Sequence, residues 1–140
     1  MNVRNQRFTV ELPRGWEDRS VFTFWGPEED GVQHVVSITI EDAQGRSAQQ
    51  LAQERSPTLV GTKPEAEVLR QGAVELGEEA DAHEVASRIR SNENTPLIER
   101  EVYVVQGGKG CAFTGRFTKR TIKTQGVLFS RMIESFRFED

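Results

Sequence analysis

Apolar and polar residues alternate with a period of two along most of this chain, and two stretches with helical spacing interrupt the pattern. Residues 7–12 set Phe8, Val10 and Leu12 against Thr9 and Glu11, which predicts a half-buried strand. Pro13-Arg14-Gly15 then ends it as a turn. Residues 20–25 repeat the alternation, with Ser20, Phe22 and Phe24 on one side and Val21, Thr23 and Trp25 on the other. The run Gly26-Pro27-Glu28-Glu29-Asp30-Gly31 predicts a polar turn, so that residues 34–41 return as the second arm of a hairpin. In that arm Val36, Ile38 and Ile40 share one face, while Val35, Ser37 and Thr39 share the other.

Helical spacing first appears over residues 47–54. Ser47 is placed to cap the helix, and Ala48, Leu51 and Ala52 form its apolar stripe. Pro57 should end it. Strand patterns return at residues 68–76, 83–90, 97–106 and 111–118, with Gly107-Gly108-Lys109-Gly110 as a hairpin turn between the last two. Residues 121–135 form a second helix, whose stripe runs through Phe129, Met132 and Ile133 to Phe136 just beyond it. Three strands, a helix, about four strands and a helix, joined mostly by short turns, predict an α+β domain with a twisted, mainly antiparallel sheet flanked by two helices. Both helices are expected on one sheet face, burying the rows Phe8/Val10/Leu12, Phe22/Phe24 and Val36/Ile38/Ile40.

The opposite face would carry Val21, Thr23, Trp25, Val35, Ser37 and Thr39, joined by Tyr103, Val105, Ala112 and Thr114. That mixture is too apolar for a solvated face and too polar for a dry core. Two readings stay open: a half-exposed sheet back with some loop cover, or a binding surface for an apolar partner in which hydroxyls satisfy polar groups.

Composition narrows the chemistry. With 36% hydrophobic residues in 140, and a mean hydropathy of −0.57, this is an ordinary water-soluble composition. No apolar run approaches the roughly 18–20 residues needed to cross a bilayer, and the first fifteen residues lack the apolar core of a signal peptide. Cys111 is the one cysteine, which fits a reducing compartment and a cytoplasmic location. A net charge of −4 argues against nucleic acid as the main partner, and the cluster Arg116, Lys119, Arg120, Lys123 reads as a solvated helix entry.

Lys109 stands in a glycine turn followed by Gly110 and a strand, without the Ser or Thr and the helix that a phosphate-binding loop requires. His34 and His83 have no ligand-spaced companions; His34 is expected at the surface or a strand edge. Cys111 reads as a small buried hydrophobe, and Glu78, Glu79 and Asp81 as a solvated acidic turn. Neither a metal, a cofactor nor a catalytic group is expected.

The opening run Phe8-x-x-x-Leu12-Pro13-x-Gly15-Trp16-Glu17-Asp18-x-Ser20, the strand end Ile40-Glu41-Asp42, the later Arg100-Glu101-Val102-Tyr103-Val104 before a glycine hairpin, and the terminal Ser135-Phe136 together resemble the DcrB-like family. The resemblance spans nearly the whole chain and implies one domain over residues 1–140 with the PsbP-like fold, an antiparallel sheet flanked by helices. Within that family, members of this length resemble the Eag chaperones of type VI secretion. These bind N-terminal transmembrane helices of effectors against the sheet, as dimers. The resemblance therefore implies a cytosolic chaperone or adaptor, with Val21 and Thr23 on the binding surface and Ser37, Thr39, Gln53 and Glu101 as candidate polar positions. A regulatory or scaffolding module that contacts a folded soluble partner is the alternative.

Overall fold

Two of the turns show most directly how the sequence sets the sheet. Gly107 and Gly108 both take positive φ, 60° and 81°, between the paired residues Gln106 and Lys109. Asp30 and Gly31 do the same, at 55° and 76°, between Glu29 and Val32. Two-residue loops with both centres left-handed match the twist of antiparallel strands, and glycine adopts that conformation without a side-chain clash. The computed structural model describes residues 9–77 and 80–138. Its elements are β1 (Val21–Glu29), β2 (Val32–Asp42), α1 (Ala48–Arg55), β3 (Glu67–Ala73), β4 (Asp81–Arg90), β5 (Pro96–Gln106), β6 (Lys109–Phe117) and, after a 3₁₀ turn at Thr121–Lys123, α2 (Gln125–Ser135). All six strands join one antiparallel sheet in the order β1-β2-β6-β5-β4-β3. The chain thus leaves the β1–β2 hairpin, crosses the sheet through α1 to the far edge, and returns strand by strand until β6 closes against β2. This is the α+β architecture the alternation predicts.

The two helices lie on opposite faces, where the sequence pattern had placed both on one. Phe129 and Ile133 of α2 pack into a core with Ile38, Ala82, Val102, Val104, Cys111, Phe113 and Phe117. Ala48, Leu51 and Ala52 of α1 pack instead with Val85 and Tyr103 on the other side. Alternation along β5 accounts for this: Val102 and Val104 point to α2, and Tyr103 points to α1. Ser47 makes a full capping box with Gln50, and the Asp81 carboxylate accepts the Ala48 N–H at 2.8 Å, which seats the start of α1 over β4. Gly110 completes the fit. A Cβ there would stand 2.6 Å from Leu51 Cδ1, so a side chain at this position would force Leu51 to shift.

Other expectations also shift. Residues 9–12 are outside any strand, with Val10 65% and Leu12 43% exposed, and Phe8 lies outside the described residues. Among the described residues, their alternation has no neighbouring strand to pair with. Of the remaining rows, Ile38 is buried, Phe22, Phe24 and Val36 are partly so, and Ile40 is exposed. β1 runs on through the predicted turn to Glu29, with an irregularity between Trp25 and Glu28 that absorbs Gly26 and Pro27. His34 is not a surface residue. It is 5% exposed, with Nε2 2.9 Å from the Thr121 hydroxyl and Nδ1 3.1 Å from the Pro27 carbonyl, so it ties the first hairpin to the approach of α2. Glu78 and Glu79 lie outside the described residues, and Asp81 is exposed as expected while also accepting the Ala48 N–H at the start of α1.

A candidate partner-binding face

The α1 side of the sheet is only half covered. α1 contacts β4 and β5, and the segment of residues 56–66 that follows it runs on across the same side. α1 also reaches the start of β6 at Gly110 and Ala112, but among the described residues no helix lies above β1, β2 or the rest of β6 there. Their register places the predicted residues side by side: Val21 opposite Thr39, Thr23 opposite Ser37, Trp25 opposite Val35, and Ser37 opposite Thr114 on the next strand. Trp25 is 74% and Val21 55% exposed, Thr23 and Thr39 are exposed, and Val35, Ser37 and Thr114 are half-buried. Seven of the eight residues singled out from the sequence therefore form one contiguous open surface. Tyr103, the eighth, shares the face but lies under α1 at 3% exposure and belongs to the packing. Gln53 is exposed on α1.

Along the border between the covered and open halves runs a charged layer that the sequence did not single out as a unit. Glu99 and Glu101 occupy alternate positions of β5, so both point to the α1 side, at 1% and 2% exposure. Glu99 binds two cations, Lys63 from the covering segment at 3.3 Å and Arg116 from β6 at 2.8 Å. Among the described residues Glu101 accepts from two hydroxyls, Ser56 at 3.0 Å and Tyr103 at 2.6 Å. Burial pushes its carboxyl above the usual glutamate range, and Glu99 adds to this, while the Tyr103 and Ser56 hydroxyls pull the other way. Thr114, on the open side, is the direct cross-strand neighbour of Glu101. Sequence reading had noted Glu101 alone. The Glu-x-Glu-x-Tyr spacing along β5 was the available signal for the layer.

Elsewhere the chemistry is sparse. A cleft of about 570 Å³ opens at the strand ends beside the open face, lined by Lys63, Arg90 and Arg116 against Glu65 and Glu93, and Glu101 does not reach it. Arg120 pairs loosely with Asp30 at 3.8 Å, and Lys119 and Lys123 are exposed. Cys111 is buried, and desolvation pushes its thiol up to about 12, which keeps it protonated at neutral pH. Among the described residues, no three His, Cys, Asp or Glu side chains gather as a metal site, and no helix is long and apolar enough to cross a membrane.

An open six-stranded antiparallel sheet with helices on both faces and a half-bare side places this chain in the PsbP-like class of α+β folds. The DcrB family pattern matches residues 8–131, and the chain belongs to that family. No curated protein matches it. Among solved structures it is similar to PA94 from Pseudomonas aeruginosa, a protein of unknown function described as a candidate regulator, with a TM-score of 0.69 at 13% identity over 94% of this chain and 91% of that one. It is also similar to PsbP (CyanoP) from Synechocystis sp. PCC 6803, with a TM-score of 0.54 at 13% identity over 93% of this chain and 99% of that one. At this identity the likeness concerns the fold.

Proposed function

We propose that this chain is a non-enzymatic protein-binding module, and specifically a cytoplasmic chaperone, acting as a homodimer, that shields the N-terminal transmembrane helix of a type VI secretion effector. The observation that carries the reading is the bare half-face, where Val21 and Trp25 stand exposed beside Thr23, Ser37, Thr39 and Thr114. An apolar helix in water carries a free-energy cost that grows with its exposed area, roughly 25 cal/mol per Å², and a surface of this kind can cover it. The hydroxyls supply what a purely apolar surface lacks, partners for polar groups on the helix. Membership of the DcrB family, whose unexported members of this length resemble Eag chaperones, supports the choice of partner.

The test titrates a Lys-flanked, 20-residue leucine–alanine helix into the protein in a Trp16→Phe background, so that emission reports Trp25 alone. A blue shift that saturates, abolished by Val21→Asp, is the expected result. Because Val21 is exposed, that substitution should change stability by less than about 1 kcal/mol, and lost binding would then not reflect unfolding. Absence of any shift would count against the reading. Capture of a folded soluble complex in its place would favour a regulatory or scaffolding module, the role that the description of PA94 brings to mind.

A further inference from the structure

The layer of buried charge borders the bare half-face so closely that the two should act together. Glu101 lies one strand from the open surface, beside half-buried Thr114, and is fastened to the covering segment through Ser56. We propose that Glu101 makes occupancy of the open face proton-linked, so that a partner binds more tightly as pH falls and a proton is taken up at this carboxylate. The inference rests on the open face being the binding surface.

Charge compensation singles out Glu101. On its own strand it faces Glu99 on one side and the Tyr103 hydroxyl on the other. From β6 the nearest cation is Arg116, from the covering segment Lys63, and both are held by Glu99. From β4, His83 stands opposite Tyr103 and is bonded to Gln71. Arg55, at the end of α1, binds Glu41 through both Nε and Nη2. Among the described residues Glu101 is thus a buried acid with hydroxyl donors and no cation bonded to it, the Lys63 charge acting on it only from its place on Glu99. Water still reaches the β6 side of the border, because Thr114 is half-buried and the Arg116 side chain is 51% exposed. A partner laid over β1, β2 and β6 removes that water. Lower local polarity disfavours the charged form, so covering the face raises the affinity of Glu101 for a proton. By linkage, the proton raises the affinity of the face for its partner by the same factor.

The experiment measures the affinity of the same Lys-flanked leucine–alanine helix between pH 8 and pH 5, for the native chain and for Glu101→Gln. For each unit by which binding displaces the Glu101 titration, the affinity should change up to tenfold across that range. The native chain should show such a change, and the glutamine variant should bind with little pH dependence. A flat profile in the native chain, or an equal slope in the variant, overturns the proposal. Should the variant fail to fold, the carboxyl ¹³C signal of Glu101 in the native chain decides. Its midpoint should lie above that of ordinary glutamates when free and move higher on adding the helix; a midpoint that does not move overturns the proposal. No binding at any pH refutes the open-face reading itself, and this inference falls with it.

Discussion

Replacing Tyr103 with Phe removes one oxygen from a site where both partners are almost fully buried, Tyr103 at 3% and Glu101 at 2% exposure. The hydroxyl donates to the Glu101 carboxylate at 2.6 Å, and the ring packs beneath Leu51, so the substitution deletes the bond and keeps the packing. A hydrogen bond to a charged acceptor contributes about 1.5–3 kcal/mol, against about 0.5–1.5 kcal/mol for a neutral pair. Loss of the donor should therefore cost about 1.5–3 kcal/mol where Glu101 is ionised and roughly 1 kcal/mol less where it is protonated. The sign follows from linkage. The Glu101 carboxyl is already raised in the native state, so its contribution is fully present below the unfolded value and is lost as pH rises through the folded value. Without Tyr103 the folded value rises further, and the extra loss develops as pH rises through the native midpoint. Urea unfolding at pH 4.5 and pH 8, followed by far-ultraviolet circular dichroism because Trp16 and Trp25 are both exposed, measures the difference. A loss of equal size at both values would show that the acceptor keeps one charge state throughout, and would refute the reasoning.

Other consequences are simpler. Leu51→Ala removes the side chain that fills the gap over Gly110, at 1% exposure against a rigid sheet floor, and should cost about 2–5 kcal/mol in the same unfolding assay. Ser47→Ala breaks the capping box with Gln50 and should cost about 1 kcal/mol, read as a lower urea midpoint with an unchanged slope. Cys111, buried with its thiol pushed up to about 12, should resist a thiol reagent at pH 7.5 in the folded chain and react at once in denaturant.

Local signals in the sequence reported local structure well. Ser47, Ala48, Leu51 and Ala52 specify α1, and the structure shows the capping box and buries all three apolar residues. The alternation in β1 and β2 assigned Val21, Thr23, Trp25, Val35, Ser37 and Thr39 to one face, and the register agrees. What alternation cannot carry is the identity of the layer above a face. That depends on contacts between distant segments: Lys63 meets Glu99 across 36 positions and Ser56 meets Glu101 across 45. Hence Glu101 reads in the sequence as a polar position of the binding surface, and nothing there shows that it and Glu99 are buried. The same limit misled the reading of Val10 and Leu12. Their pattern is that of a strand, but a strand needs a partner, and among the described residues none pairs with them.

The bare half-face follows from dimensions and needs no special device. Six strands about 4.8 Å apart span roughly 24 Å from first to last. A helix is about 10 Å across with its side chains, enough to cover two or three strands. α1, with eight residues, is placed over β4 and β5 by the cap from Asp81 and the glycine at 110, and the segment after it extends the cover along β5. Nothing in the sheet's own geometry can then close over β1, β2 and the rest of β6 on that side. On the other side α2 is fixed over β6, with Arg100 donating to the Gly126 carbonyl and the Ser130 hydroxyl and stacking on Phe129, so it cannot serve both faces. The border of the cover must fall near β5 and β6, which is where the sequence places Glu99, Glu101, Thr114 and Arg116. A buried acid beside an uncovered apolar surface is therefore one structural fact. Whatever covers the surface changes the medium around the acid, and the acid's charge state changes how favourable that covering is.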